Sequence, residues 1–139
     1  EFVSRAQVCA DIIMVDGYDG ESHAEALSTP EFYRDCHDRL NTHGMLVVNL
    51  WGGDRAFHDT LKRIEAEFPN GSLCLPAEKP GNIIVLGFRS AAGLFPWHAL
   101  RARAAALQAR YELPFVRFVE ALARMNRHDE TSLFITRDL

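Results

Sequence analysis

The chain carries at residues 11–15 the run DIIMV, which shows no alternation of polar and apolar side chains. Such runs are typical of strands buried on both faces, as in parallel sheets. The run stops at residues 16–20, DGYDG, a turn-forming segment in which the chain must leave the sheet. We therefore predict a buried strand whose carboxyl end carries two aspartates.

A unit of strand and helix is predicted to occur twice. Residues 28–31, STPE, supply a capping hydroxyl, a proline suited to the first turn and an acid that favours the positive end of a helix. Asp54 is the predicted cap of a second helix. The later strands are predicted at residues 45–50, 72–75 and 82–88. Only about six residues join the last two strands, too few for a parallel crossover, so the fourth strand is predicted to be antiparallel.

This order predicts an α/β fold with a mostly parallel sheet and helices on both of its faces. We assign residues 1–90 to this unit and residues 91–139 to a helical appendage and tail, because two helical stripes separated by Pro114 follow it. Residues 1–7 resemble the end of a helix, which leaves the strand at 11–15 without a partner on one side. We expect a fragment or a truncated homologue, and a homodimer that covers this edge.

Composition excludes several classes of protein. The chain has 139 residues, 47% of them hydrophobic, with a formal net charge of −4, so a basic nucleic-acid-binding face is not expected. Its apolar runs are much shorter than the roughly 20 residues that span a bilayer. The three cysteines stand far apart and form no C-x-x-C pair. These features predict reduced thiols and a cytoplasmic protein that binds neither membrane nor nucleic acid.

Two strand ends are the candidate sites, since ligands of open α/β sheets bind outside the carboxyl ends of the strands. Asp16 and Asp19 form an acidic loop after the first strand, and Asn49 lies at the end of the second. The loop acids favour a cation, although solvated loop residues give the same pattern. Asn49 is a candidate ligand contact, and a satisfied turn amide is the alternative. No histidine or acidic spacing indicates a metal site.

Four segments together resemble the spermidine synthase family, the polyamine aminopropyltransferases. They are D-I-I-M-V-D-x-x-D at 11–19, T-P-E-F-Y-R-D-C at 29–36, L-N-x-x-G-M-L-V-V-N at 40–49 and P-x-E-K-P-G-N-I-I-V-L-G-F at 76–88. The resemblance covers over half of the chain. It implies the C-terminal half of a Rossmann-like, methyltransferase-type domain, in which our four strands match the fourth to seventh, including a reversed last strand.

The resemblance also implies a reaction, the transfer of an aminopropyl group from decarboxylated S-adenosylmethionine to putrescine or a related amine. In the family the first aspartate of D-x-x-D is the base, a role that falls on Asp16, and the second holds the cationic amine, a role that falls on Asp19. Tyr18 is then a candidate contact for the methylene chain. The chemistry requires a base, because an alkylamine with a pKa of roughly 10.4 is protonated and not nucleophilic at neutral pH.

The chain departs from the family pattern after Asp19. Residues 20–23, GESH, stand where the family has a proline-containing loop. The glycine-rich nucleotide loop, the acid that holds the ribose and the family's N-terminal β-domain are not found in these residues. We therefore expect no turnover by the 139 residues alone. Two alternatives stay open: a methyltransferase that uses S-adenosylmethionine, and a non-catalytic module that associates with itself.

Overall fold

Two sheets and five α-helices make up the described part of the chain. The computed structural model describes residues 2–5, 7–17, 24–78, 81–90 and 93–135. In chain order the elements are α1 (Phe2–Arg5), β1 (Ala10–Val15), a 3-10 turn (Glu25–Leu27), α2 (Pro30–Asp38), β2 (Leu40–Trp51), α3 (Phe57–Glu67), β3 (Ser72–Pro76), β4 (Asn82–Phe88), β5 (Gly93–Pro96), α4 (Trp97–Tyr111), α5 (Phe115–Leu122) and β6 (Ser132–Ile135).

The main sheet has four strands in the order β1-β2-β4-β3. β1 and β2 are parallel, and β4 runs antiparallel to both of its neighbours, β2 and β3. Three strands therefore point the same way and the last strand of this sheet is reversed. The predicted α/β class and the predicted reversal are both confirmed. The short connection after β3 is the physical cause, because it can only turn the chain back on itself.

One face of the main sheet packs against α2 and α3. Alternate residues of β2 lie on this face and are buried, and so are residues of each neighbouring strand. Thr29 begins α2 as predicted, its Oγ1 accepting a hydrogen bond from the Phe32 amide at 3.1 Å. Asp54 accepts from the Ala56 amide before α3 begins at Phe57, so it caps the preceding turn and not the helix itself.

The opposite face of the main sheet is covered unevenly. Its β3 and β4 side packs against the C-terminal helices and the small sheet, in a second core built around Trp97 and Leu133. Its β1 side remains open, because Ile12 is 55% and Met14 77% exposed. The expectation that β1 is buried on both faces is therefore wrong. β1 is the edge strand of the described sheet, and its second face has no helix over it within the described residues.

Two further differences from the prediction concern strand lengths and the C-terminal segment. β2 begins at Leu40 and not at the predicted Met45, so the polar residues before Met45 extend the strand. β5 and β6 pair as an antiparallel two-stranded sheet in the segment that was predicted to be helical with a tail. Asn126 joins this segment to the main sheet, since its side chain bonds both the amide and the carbonyl of Cys74 at 2.7 Å.

The three cysteines are free thiols with different surroundings, and they make a testable prediction. Burial raises the pKa of Cys36 to about 12 and that of Cys74 to about 11, whereas Cys9 is exposed. Because the thiolate is the nucleophile, a disulfide reagent at pH 8 should modify Cys9 rapidly and the two buried thiols only after unfolding. Rapid reaction of the native Cys9→Ser chain would contradict this.

No helix in the described ranges is both long and apolar enough to cross a membrane.

Candidate functional site

Asp16 lies at the carboxyl end of β1, beside the end of β2. The parallel register pairs Val15 with Val48, so the next residues, Asp16 and Asn49, come side by side on the two strands. The Asn49 amide donates from Nδ2 to Asp16 Oδ1 at 3.0 Å. Asp16 is exposed and Asn49 is half-buried. The structure thus brings together two of the predicted site residues, an accessible carboxylate and the amide that holds one of its oxygens.

Asn82 extends this pair into a row of three side chains. It is the first residue of β4, and its Nδ2 donates to Asn49 Oδ1 at 3.0 Å. Because β4 is reversed, the beginning of β4 lies at the same edge of the sheet as the ends of β1 and β2. The row Asp16–Asn49–Asn82, which we call the polar row, therefore crosses three neighbouring strands at the edge where ligands bind.

The loop after Asp16 is closed at its two ends. The amide of Ala24 donates to the carbonyl of Gly17 at 3.0 Å, which brings the chain back to the strand end after six intervening residues. A Cβ at position 17 would lie 2.3 Å from Leu27 Cδ1, so a side chain there would require the Leu27 side chain to shift. Tyr18 and Asp19, the candidates for amine binding, lie outside the described residues. Asp16 is thus the described member of the D-x-x-D motif.

A half-exposed indole stands at the end of β2. Trp51 is 46% exposed, and its ring lies against Gly81, where a Cβ would come within 2.2 Å of the ring carbon Cζ3. Gly81 has a φ of 107°, a backbone conformation that other residues rarely adopt. Trp97, by contrast, is buried in the second core.

A cavity of about 410 Å³ opens beside Asn82. Its walls are mainly apolar side chains of β3, β4 and α5, with two polar groups among them. The lining includes Leu75, Pro76, Glu78, Asn82, Ile84 and Phe118. Glu78 is held by an ion pair with Arg117, whose Nη1 lies 3.1 Å from Glu78 Oε1. The apolar walls suit an alkyl chain.

In the part of the chain that the structure describes, no three side chains of His, Cys, Asp or Glu are grouped so that they could hold a metal ion.

Sequence reasoning identified Asp16 and Asn49 but not Asn82. Asn82 looks like an ordinary first residue of a strand. It is 33 positions from Asn49 in the sequence, so no local pattern predicts the contact between them. The available signal is a polar side chain at the head of an otherwise apolar strand. That signal identifies a site residue only when β4 is known to lie next to β2.

The fold class is supported by a solved structure. A probable spermidine synthase from Corynebacterium glutamicum ATCC 13032 superposes with a TM-score of 0.58 at 21% identity, over 91% of this chain and 50% of that one. At this identity the likeness establishes the fold. The chain therefore has the architecture of part of a methyltransferase-like α/β domain, as predicted.

The sequence itself matches aminopropyltransferases. The polyamine aminopropyltransferase of Chromobacterium violaceum is 36% identical over 135 residues, which are 97% of this chain and 52% of that protein. The enzyme of the same name from Neisseria meningitidis serogroup A is 35% identical over 126 residues, 91% of this chain and 48% of that protein. The chain is thus similar in sequence to polyamine aminopropyltransferases, and the predicted resemblance to this family is confirmed. No protein-family model matches the chain. The chain spans about half the length of the curated relatives that it matches.

Proposed function

We propose that this chain forms the amine-binding and base-supplying half of a polyamine aminopropyltransferase. The transferred group comes from decarboxylated S-adenosylmethionine, and the acceptor is putrescine or a related amine. The names of the sequence relatives support the class of reaction. The single observation that carries the assignment of roles is the Asp16 carboxylate, exposed at a strand end and bonded through one oxygen to Asn49.

The role of Asp16 follows from the chemistry of the attacking amine. The amine must lose a proton before its nitrogen lone pair can attack the carbon next to the sulfonium, and the C–S bond then breaks with its electron pair passing to sulfur. Asp16 accepts that proton. Asp19 and Tyr18 are proposed to hold the amine beside it, and Asn49 is proposed to orient the carboxylate and not to bind the nucleoside.

The cavity beside Asn82 supports an alkylamine as the acceptor. Apolar walls such as Phe118 suit the methylene groups of such an acceptor. A methyl acceptor requires no acidic pair, so the carboxylates favour aminopropyl transfer over the methyltransferase alternative. A non-catalytic module that associates with itself is the third hypothesis. The assay described next distinguishes it from aminopropyl transfer and from methyl transfer.

The proposal is tested in a chimera in which this chain replaces the matched part of the Chromobacterium violaceum enzyme. With putrescine and decarboxylated S-adenosylmethionine the chimera should form an aminopropylated product, measured by mass spectrometry. The 139 residues alone should give no turnover, because they span only about half of their relatives. An inactive chimera beside an active parent enzyme, or methyl transfer from S-adenosylmethionine, would overturn the proposal.

We further propose that a second copy covers the open face of β1 when the chain is studied by itself. Val8, Ile12 and Met14 expose 73%, 55% and 77% of their surfaces, and an apolar strand edge of this kind favours self-association. Sedimentation should give a dimer, and Met14→Lys should give a monomer, while Met125→Lys at an exposed site on the C-terminal side should not. A stable wild-type monomer with a cooperative melt would contradict this.

The free thiols support a cytoplasmic location.

A further inference from the structure

The hydrogen bonds of the polar row have a fixed direction. An ionised carboxylate can only accept, so Asp16 must receive the NH₂ group of Asn49. The carbonyl oxygen of the same amide then points the other way, where it accepts from the NH₂ group of Asn82. The negative charge at one end therefore determines how both amides are turned.

We propose that Asn82 is a positioning residue for the transfer reaction, an inference that rests on the proposed function. By donating to Asn49 it keeps the Asn49 NH₂ group aimed at Asp16. The carboxylate is then held through Oδ1, while Oδ2 has no protein partner among the described residues and is left to receive the proton. In this role Asn82 acts through Asn49, although it also lines the cavity proposed for the acceptor.

The need for a third residue follows from the exposure of Asp16. An exposed carboxylate held by one hydrogen bond to one amide can rotate with that amide, and a general base must stay within hydrogen-bond reach of the proton that it takes. Asn49 and Asn82 are both half-buried, so the end of the row farther from solvent is fixed by the sheet. By holding the Asn49 amide, Asn82 limits the rotation of the Asp16 carboxylate.

The same two strands contain a natural comparison. Near the beginning of β1, Asn41 Nδ2 donates to Asp11 Oδ1 at 2.7 Å, again an asparagine of β2 bonded to an aspartate of β1. Both of these residues are exposed. No side chain in the described ranges donates to the Asn41 oxygen. The two pairs thus differ in the third member, which is present where the reaction is proposed and missing at the opposite end.

The test follows the side-chain amide of Asn49 by ¹⁵N NMR in the 139-residue chain. Asn82→Leu has a similar volume and no donor, and Asn82→Asp has the same shape but only accepts when ionised. Both should lower the protection of the Asn49 NH₂ group against solvent exchange by about fivefold, the factor expected for one lost hydrogen bond. Asn41→Leu should leave Asn49 unchanged. Unaltered protection in both Asn82 variants would overturn the inference, and the two variants together guard against a folding defect in one.

The chimera supplies the functional readout. Asn82→Leu should lower kcat about tenfold, the effect of a poorly placed general base, with KM for the amine changed less than about twofold. Asn41→Leu should leave both constants unchanged. A rise in KM at constant kcat would contradict a positioning role. If the wild-type chimera is inactive the proposed function fails, whereas unaltered Asn49 protection refutes the positioning of Asn49 whatever the activity.

Discussion

Replacement of Asp16 by asparagine should lower kcat of the chimera by about 10²–10⁴-fold, the range found for the loss of a general base. The substitution keeps the size and shape of the side chain. Its amide, however, has no basic oxygen that can hold a proton at neutral pH. In addition, turning its NH₂ group toward Asn49 would set two donors against each other, because Asn49 now donates at this position.

The dependence of this defect on pH distinguishes a base from a structural residue. An alkylamine with a pKa of roughly 10.4 is mostly protonated at pH 7, and its neutral fraction grows about tenfold per pH unit until that value is approached. As the pH rises, solvent removes the proton that Asp16 would have taken. The rate of Asp16→Asn should therefore recover toward that of the wild type between about pH 8 and 10. A constant ratio across this range would contradict the role of base.

Asp11→Asn is the matched control for this experiment. Asp11 lies on the same strand and also accepts a hydrogen bond from an asparagine of β2, but near the opposite end of β1. Its substitution removes one negative charge without touching the polar row. We expect kcat to remain within about twofold of the wild type. An equal loss in both variants would indicate that sheet stability, not proton transfer, is being measured.

Phe68→Ala should lower the free energy of unfolding by about 3–5 kcal/mol, as expected for removing a fully buried phenylalanine from a tightly packed site. The ring is 1% exposed and lies edge-on to the His37 ring, with 5.3 Å between the ring centroids. It also lies against Gly87, where a Cβ would come within 2.8 Å of Phe68 Cγ. Because helix and strand backbone are both fixed here, the cavity cannot collapse easily.

Urea denaturation followed by circular dichroism measures this change, with Leu113→Ala as the control. Leu113 is 52% exposed in the connection between α4 and α5, so its truncation should alter the free energy of unfolding by no more than about 0.5 kcal/mol. The midpoint should fall for Phe68→Ala at a similar slope. A loss below about 1 kcal/mol would show that the site can repack.

Local signals in the sequence were enough for the parts of the fold that depend on neighbouring residues. The cap at Thr29, the apolar runs of β1 and β4 and the short connection before Asn82 all act over a few positions. The pairing of β5 with β6 was not predicted, because the two strands are short and separated by about 35 residues. The exposure of Met14 was not predicted either, since an apolar run does not reveal whether anything covers it.

The site residues were also predictable only where the signal lies in neighbouring residues of the sequence. Asp16 was found because it follows a predicted strand at the position of the first aspartate of D-x-x-D, and Asn49 because it lies at the end of the next predicted strand. The contact between them required the register of β1 against β2. Asn82 required more, the position of a reversed strand between β2 and β3. The spatial order of the strands is determined by packing across the whole sheet, and no short motif encodes that order.

The reversed strand has a consequence for engineering acceptor preference. β3 ends and β4 begins at the edge of the sheet where Asp16 lies, and the two strands are anchored by a ladder of five residue pairs, from Ser72 with Gly87 to Pro76 with Ile83. Residues grafted between Pro76 and Asn82 would be flanked by this ladder. Asn82 would therefore keep its place while the neighbouring wall of the cavity changed. Acceptors of different length are thus best accommodated by redesigning this loop, with the proton-accepting machinery left as it is.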